Sequence, residues 1–372
     1  MGFLRNLFAN TGRPFRRAGL FISHRRMLIE SLAASFPSKK VSNAEVIELI
    51  RRHSPEFEGD LDRGLRVVKT LLDRSGLVSR NWCAEGERPL DHLAKAVASA
   101  LEPSAFKPKD VDLFVYVGIG GGFREPANSY MAAKALGFAR AECFDVIDAC
   151  MSWTRAMSLV DSLFKTRGYR SALIVNAEFN MTEGGPLFPA NFALKTPEQL
   201  EYALPSYTIG EVATATLLVP QQPDNFRFNF LSRPDLADLC TIPTAGFEGF
   251  CSPSYHVGRL GIGRFTAMGA KLHENLDKEL PKVLAAAGDR PDDFDIAFTH
   301  TSSQAEWQRY GEKSGIAHKI YHTYHQIGNV VSASIPATMA LARQEGRLKK
   351  GDRVLSWMGS AGMSFNVTTF NF

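Results

Sequence analysis

The sequence has few cysteines, little net charge and no long apolar run, and each of these shortages excludes a class of protein. Its five cysteines, at positions 83, 143, 150, 240 and 251, include no Cys-x-x-Cys pair, which argues against a zinc finger or a disulfide-bonded domain. The net charge of +4 at pH 7 is too small for a typical nucleic-acid-binding surface. No apolar run reaches the ~20 residues of a membrane span. We therefore expect a cytoplasmic globular protein with no transmembrane segment and no nucleic-acid partner.

The chain begins with a basic segment. Several arginines and phenylalanines precede the first acidic residue, Glu30. Such a segment can bind an acidic partner or a membrane surface, or it can be a solvated extension; the sequence leaves these readings open. We predict an extension over residues 1–25, an N-terminal half over 26–220 and a C-terminal half over 221–372, with the boundary near Pro220.

Strand and helix patterns alternate from residue 26 onward, which is typical of an α/β protein. In the first half, the patterns predict strands over 26–33, 111–118, 144–147, 171–176 and 214–219, and helices over 46–52, 61–72, 90–101, 128–136 and 152–165. Residues 177–208 are rich in glycine and proline and are predicted to be a long binding loop or lid. In the second half, we predict helices over 266–287 and 333–345 and strands over 292–300 and 348–357.

The second half repeats the plan of the first. Residues 292–300 resemble residues 108–115, and the helix and strand over 333–357 correspond to those over 152–176. An internal duplication of this kind predicts two similar α/β halves packed as one layered body. In that arrangement Cys150 and Asn329 lie at equivalent helix starts, and His300 ends the strand that corresponds to the strand before Gly118. We expect all three side chains to face one central crevice.

Cys150 is the first candidate for catalysis. It lies between an apolar strand run and an amphipathic helix, where unpaired N–H groups and the helix dipole favour a thiolate. The alternative is a cysteine that merely packs in the core. Glycine-rich residues 118–122 lack the order and the Lys-Ser/Thr of a phosphate-binding loop, so a nucleotide site is not predicted.

Several motifs in order resemble the thiolase-fold condensing enzymes, most closely β-ketoacyl-acyl-carrier-protein synthase III (KAS III). Cys150 ends a segment similar to the family's nucleophile motif, Phe298-Thr299-His300 is similar to its strand-end histidine, and Gly328-Asn329 with the following Ser-Ala-Ser-Ile-Pro is similar to its asparagine motif. Arg74 opens Arg-Ser-Gly-Leu, which resembles the family's Arg-Thr-Gly-Ile. The resemblance extends from about residue 26 to residue 372.

The resemblance implies a layered αβαβα thiolase-like fold and a Claisen condensation of acyl thioesters. Cys150 is then the nucleophile that carries the acyl group, and His300 and Asn329 stabilise the enolate of the second thioester. The backbone N–H groups of Cys150 and of the Gly359-Ser360 turn form the oxyanion site. Arg74 contacts the nucleotide end of coenzyme A, and we expect Trp153 to shape the acyl pocket.

The resemblance also implies the partners. They are acyl-CoA or acyl-carrier-protein thioesters and a second copy of the chain in a homodimer. No cofactor and no metal are expected.

Departures from the family pattern leave alternatives open. The segment around Glu125 resembles the Leu-Glu-Pro-Ala segment of the olefin-biosynthesis condensing enzymes, which carry a glutamate base on a loop that reaches the partner subunit's active site. A base permits condensation of two plain acyl thioesters without decarboxylation; alternatively, Glu125 is an acid that stabilises a helix N-terminus. Acyl transfer to an oxygen or nitrogen nucleophile, and a non-catalytic partner subunit, are the remaining candidates.

Overall fold

The computed structural model describes residues 26–221 and 226–372, so the basic extension over 1–25 lies outside the described residues. The strands are β1 (Arg26–Ser35), β2 (Lys39–Ser42), β3 (Ser79–Trp82), β4 (Leu113–Val117), β5 (Glu142–Val146), β6 (Ala172–Glu178), β7 (Val212–Gln221), β8 (Arg227–Ser232), β9 (Cys240–Thr241), β10 (Thr266–Ala267), β11 (Ile296–Thr299), β12 (Arg353–Ser360) and β13 (Ser364–Asn371). The helices are α1 (Asn43–His53), α2 (Leu61–Arg74), α3 (Pro89–Leu101), α4 (Asn128–Leu136), α5 (Ser152–Arg167), α6 (Pro197–Ala203), α7 (Gly269–Ala287), α8 (Gln304–Lys313), α9 (Tyr324–Ile327) and α10 (Ser334–Gln344).

Two mixed sheets form the frame of the molecule. The first has the strand order β1-β7-β6-β4-β5, and the second has the order β11-β12-β13-β8. Strand β4 is parallel to β5 and β6, while β7 is antiparallel to β6 and β1. In the second sheet β11 is parallel to β12, and β13 is antiparallel to both β12 and β8. The two sheets therefore repeat one arrangement, except that, within residues 26–221 and 226–372, no strand next to β11 corresponds to β5.

The sheets enclose a layer of two central helices, α5 and α10. Alternate residues of β4 separate the layers, as the period of a strand requires: Val115 packs inward with residues of α5, whereas Phe114 packs outward with residues of α3. In the second sheet Val354 packs inward and Trp357 packs outward against the layer that includes α7 and α8. The predicted order of helix, sheet, helix, sheet and helix is therefore confirmed.

One hydrogen bond from a backbone N–H to an aspartate appears in both halves at the same spacing. The carboxylate of Asp112, just before β4, accepts the backbone N–H of Arg170 at 2.7 Å. The carboxylate of Asp295, just before β11, accepts the backbone N–H of Arg353, also at 2.7 Å. The first contact fixes the start of β4 against the segment before its parallel neighbour β6, and the second fixes the start of β11 against the start of its parallel neighbour β12. This repeat supports the internal duplication predicted from the sequence.

Several predicted elements differ from the structure. Residues 266 and 267 form the short strand β10 rather than the start of a helix, and α7 begins at Gly269. The expected loop over 177–208 contains α6, which begins with Pro197 after the N-cap Thr196. The strand predicted over 348–357 begins later, at Arg353. The boundary near Pro220 stays a prediction; in the structure β7 belongs to the first sheet and β8 to the second.

Helix α5 provides a test of the central layer. Phe164 is fully buried, whereas Leu159 on the same helix is 43% exposed. We expect Phe164→Ala to lower the free energy of unfolding by about 3–5 kcal/mol, because the buried ring leaves a cavity, and Leu159→Ala to change it by less than about 1 kcal/mol. Urea unfolding followed by circular dichroism measures both values. Equal losses for the two variants would contradict the buried position of α5.

Candidate active site

A strained turn carries Cys150 between β5 and α5. Ala149 has a φ of 45°, a left-handed conformation that is uncommon for a residue with a β-carbon. The backbone N–H of Met151 donates to the carbonyl oxygen of Asp148 at 2.9 Å and also contacts the hydroxyl of Ser360 at 3.2 Å. These contacts hold Cys150 directly before the helix, as the sequence predicts.

Burial raises the pKa of the Cys150 thiol, and the neighbouring Cys240 and Glu178 raise it further. The hydroxyl of Ser360 opposes this shift because it hydrogen-bonds to the sulfur. The position at a helix start favours a thiolate, but in the structure removal of the sulfur from water has the larger effect on the pKa of the thiol. Cys150 is therefore a thiol at neutral pH in the unliganded protein, and its proton must leave when the sulfur attacks a substrate.

His300 is buried directly after β11, and burial lowers its pKa to about 3. Its Nδ1 lies 2.9 Å from the hydroxyl of Ser334, which donates its own proton to the carbonyl oxygen of Val331 at 2.7 Å. The Ser334 hydroxyl also lies 2.9 Å from the hydroxyl of Thr301, so Nδ1 of His300 is held in a buried hydrogen-bonded network. The lowered pKa keeps the imidazole neutral at pH 7.

Asn329 lies on the turn between α9 and α10. Its side-chain Oδ1 accepts the backbone N–H of Val331 at 3.0 Å, and its backbone N–H and carbonyl bind Thr208 and Gly210 at 2.8 and 2.9 Å. In the part of the chain that the structure describes, the Nδ2 group of Asn329 has no hydrogen-bond partner. The carboxamide is thus held by its oxygen and has its N–H groups available to a ligand.

Val331 links the three predicted catalytic residues. It has a φ of 50°, so the turn of the second half is strained in the same way as the turn at Ala149. Its backbone groups bind Asn329 and Ser334, the partner of His300, and its side chain belongs to the apolar cluster against which Cys150 packs. The structure therefore brings Cys150, His300 and Asn329 to one region, while their chemical roles stay predictions.

Sequence reasoning missed Glu178, a fully buried carboxylate at the end of β6. Its oxygens accept hydrogen bonds from both the hydroxyl and the backbone N–H of Ser332, from the backbone N–H groups of Ile119 and Gly120, and from the side chain of Asn180. A β-carbon on Gly118, where φ is 115°, would overlap this carboxylate. Glu178 thus joins the loop after β4 to the turn that presents Asn329. The sequence does contain a signal for Glu178, because this residue ends β6, and the ends of the parallel strands β4, β5 and β6 meet at one sheet edge.

The Gly359-Ser360 segment lies at the end of β12. A β-carbon on Gly359 would overlap the end of the Leu276 side chain, which would have to shift to admit it. The Ser360 hydroxyl donates to the carbonyl oxygen of Asp148 at 3.3 Å and so ties this segment to the Cys150 turn. An oxyanion site formed by these backbone groups stays a prediction.

Arg74 and Asn329 line one large cavity. Its volume is about 980 Å³, and its walls are mainly apolar residues of α2 and α6 together with polar residues near α9. The other lining residues that matter here are Arg63, Leu71, Leu200, Ser303 and Tyr324. The cavity extends from Arg63 and Arg74 on α2 to Asn329, and neither Cys150 nor His300 is among its lining residues.

Trp153 and Glu125 occupy other positions. Trp153 is 2% exposed and its indole N–H donates to the hydroxyl of Thr216 at 3.1 Å; it packs in the layer between the sheets and does not line the 980 Å³ cavity. Glu125 is exposed on the segment before α4. Within the described chain it therefore does not join the Cys150 region, and the expected role of each residue stays a prediction.

Comparisons with known proteins agree with this architecture. Residues 284–372 match the family model described as 3-oxoacyl-[acyl-carrier-protein (ACP)] synthase III C terminal. Over 351 residues the chain is 25% identical to the β-ketoacyl-[acyl-carrier-protein] synthase III of Rhizorhabdus wittichii, covering 94% of this chain and 100% of the relative. The enzyme of the same name from Rhodospirillum rubrum is 27% identical over 336 residues, covering 89% and 94% of the two chains.

Solved structures show the same fold. A variant of OleA from Xanthomonas campestris with bound lauric acid and lauroyl-CoA superposes with a TM-score of 0.78 at 19% identity, covering 93% of this chain and 99% of that chain. Another OleA variant from this organism gives the same TM-score at 18% identity, with coverages of 94% and 99%. Within residues 26–221 and 226–372, no helix is long and apolar enough to cross a membrane.

The charge of Glu178 can be tested through the thiol. We expect Glu178→Gln to lower the pKa of Cys150, because the substitution removes a negative charge that opposes thiolate formation. The pH dependence of Cys150 alkylation by iodoacetamide measures this shift. The matched control is Glu211→Gln, since Glu211 is another buried carboxylate but is not among the groups that shift Cys150. Equal alkylation profiles for the two variants would contradict this electrostatic coupling.

Proposed function

We propose that this chain, a KAS III-like condensing enzyme of the thiolase superfamily, joins two acyl thioesters through an acyl group carried on Cys150, with at least one long apolar acyl chain. One observation carries this proposal: Asn329 faces a mainly apolar cavity of about 980 Å³ and lies on the turn that also contacts His300 and the Cys150 cluster. That volume lies at the upper end of ordinary ligand sites. Arg63 and Arg74 supply positive charge for the phosphates of coenzyme A or for an acidic carrier protein.

The first half-reaction is acyl transfer to sulfur. The thiol of Cys150 attacks the thioester carbonyl, and its proton passes to the sulfur of the departing carrier, which then leaves as a thiol. The backbone N–H groups of Cys150 and of the Gly359-Ser360 segment stabilise the negative oxygen of the intermediate. Collapse of the intermediate releases the first carrier thiol and leaves the acyl group on Cys150.

The second half-reaction forms the carbon–carbon bond. The Nδ2 group of Asn329 donates to the carbonyl oxygen of the incoming thioester and stabilises its enolate. The family resemblance predicts that His300 donates a second hydrogen bond to this oxygen. The enolate forms when the α-carbon loses carbon dioxide from a malonyl group or loses a proton to a base. The α-carbon then attacks the acyl group on Cys150, and the sulfur leaves as the product forms.

Two variants separate these half-reactions. We expect wild-type protein to gain the mass of one acyl group during incubation with a series of acyl-CoAs, and Cys150→Ser to gain none under the same conditions. Asn329→Ala should still be acylated but should form condensed product about 10²–10³-fold more slowly, because it loses a hydrogen bond to the developing oxyanion. Intact-protein mass spectrometry and product chromatography measure the two steps.

The alternatives give other outcomes in the same experiment. Acylation followed by transfer to an added alcohol or amine, with no condensed product, would identify an ester- or amide-forming acyltransferase. Absence of acylation from both coenzyme A and carrier-protein thioesters would identify a non-catalytic subunit. An equal loss of both steps in Asn329→Ala would contradict the separate roles assigned to Asn329 and Cys150.

We also propose a homodimer in which Glu125 reaches the partner subunit. Strand β5 is an edge of the first sheet, and exposed strand edges readily pair with another chain. Four exposed apolar side chains lie near this edge: Phe123, Tyr130, Met131 and Ile147. Glu125 lies within this apolar surface, which a second copy of the chain can cover by a symmetric contact. A carboxylate delivered in this way would serve as base for condensation without decarboxylation.

Mixing inactive variants tests this role of Glu125. We expect Glu125→Gln to abolish condensation of two plain acyl thioesters, while Glu102→Gln, at another exposed glutamate, remains active. After subunit exchange, a 1:1 mixture of Glu125→Gln and Cys150→Ser should recover about a quarter of wild-type activity, because half of the dimers are mixed and one of the two sites in each mixed dimer has both intact residues. Light scattering confirms the dimer. No recovery in proven mixed dimers would contradict action of Glu125 across the interface.

A further inference from the structure

A second cluster of reactive side chains lies at the start of α3, outside the site described above. Cys83, Glu87 and His92 each offer one ligand atom, and these atoms all lie within 4.8 Å of one another. The Nε2 of His92 is 3.6 Å from the carboxylate of Glu87. One thiol, one carboxylate and one imidazole are ligand types that zinc accepts, and three protein ligands leave a fourth position for water.

The surroundings fix two of the three ligands. The Nδ1 of His92 lies 3.0 Å from the hydroxyl of Ser35, and the ring stacks on Phe179 at 5.7 Å, so Nε2 is directed toward Glu87 and Cys83. The carboxylate of Glu87 accepts the backbone N–H of Ala84 at 2.8 Å and that of Ser38 at 3.1 Å. A hydrogen bond to the second nitrogen of a histidine and to a carboxylate ligand is the usual support of a metal site.

The charge balance of this region gives an independent argument. Glu211, which is 2% exposed, lies beside Cys83 and accepts its backbone N–H at 2.8 Å. Within the described ranges, no lysine or arginine forms an ion pair with Glu87 or Glu211. The Glu211 carboxyl group is withdrawn from water without a basic partner, which is unfavourable for its charged form, and a divalent cation beside Cys83 would supply positive charge next to it.

We propose that Cys83, Glu87 and His92 bind one zinc ion. On binding, the thiol of Cys83 loses its proton to solvent and its sulfur forms a bond to zinc, as do Nε2 of neutral His92 and one oxygen of Glu87. The ligands follow one another as Cys-x₃-Glu-x₄-His, so a turn and the first residues of α3 supply all of them. The ion would link β3 to α3 beside Glu211. Gly210, the residue before Glu211, donates its backbone N–H to the carbonyl oxygen of Asn329.

Metal analysis of the full chain tests this site. Protein freed of metal by a chelator, loaded with zinc chloride and separated from unbound ion should retain about one zinc per chain. Cys83→Ser and His92→Gln should retain less than a fifth of that amount. Cys143→Ser, at another half-buried thiol, and Cys150→Ser, at the proposed nucleophile, should retain all of it. Loading with cobalt(II) should give a thiolate-to-cobalt absorption band that Cys83→Ser lacks and Cys150→Ser keeps.

Thermal unfolding gives a second measurement on the wild-type chain. Zinc at about 100 times its dissociation constant should raise Tm by about 3 °C, and the chelator should reverse the increase. Wild-type protein that retains no zinc and shows no cobalt band would overturn the proposal. Equal zinc retention in Cys83→Ser and Cys143→Ser would also overturn it, whether or not His92→Gln folds. Loss of zinc in Cys150→Ser alone would place the ion at the other site and refute this one.

Discussion

The contact between Glu178 and Ser332 is the interaction on which the candidate active site depends. A fully buried carboxylate is stable only when hydrogen-bond donors replace the water it has lost. Here the donors come from the loop after β4, from Asn180, and from the turn before α10, so one charge holds three segments together. Two of these segments border the positions of Cys150 and Asn329. The charge that organises the site also makes the thiolate of Cys150 harder to form.

Strain is concentrated at two equivalent places. Ala149 and Val331 are the non-glycine residues with positive φ in the described chain, and each lies at the start of a central helix. The packing of α5 and α10 between the two sheets, together with the Ser360 and Ser334 hydrogen bonds, holds these turns in conformations that they would not adopt alone. The internal duplication thus explains why Cys150 and Asn329 approach each other from distant parts of the chain.

Sequence analysis predicted the parts of the fold that depend on local residue patterns and on the internal repeat. Helix α4 begins and ends at the predicted residues, whereas the helix predicted over 46–52 begins earlier, at Asn43 after the N-cap Ser42. The internal repeat and the family resemblance predicted that Cys150, His300 and Asn329 face one crevice; the structure places Cys150 and Asn329 beside Val331 and places His300 beside Ser334, and their common crevice stays a prediction. Local pattern could not predict β10, because two residues are too few for a periodic signal, and it could not reveal that burial outweighs the helix dipole at Cys150.

Contacts between distant segments account for most of what was missed. Glu178 is a charged residue at the end of an apolar strand, and only the fold shows that five donors surround it. The tautomer of His300 depends on where the single proton of Ser334 goes, and no spacing in the sequence contains that information. The sequence also could not show where Trp153 packs, since a large aromatic residue after Cys150 is equally compatible with a pocket wall and with the core.

Within the described residues, β11 lacks the outer neighbour that β5 provides in the first sheet. Behind Cys150, β5 is paired with β4 along its whole length, whereas the described chain shows a single bridge on the outer side of β11, between Ala297 and Ile320. Insertions and substitutions near Ile320 therefore disturb few backbone hydrogen bonds, while changes in β5 disturb a complete ladder. The backbone beside His300 can thus diverge more readily than the backbone that leads to Cys150.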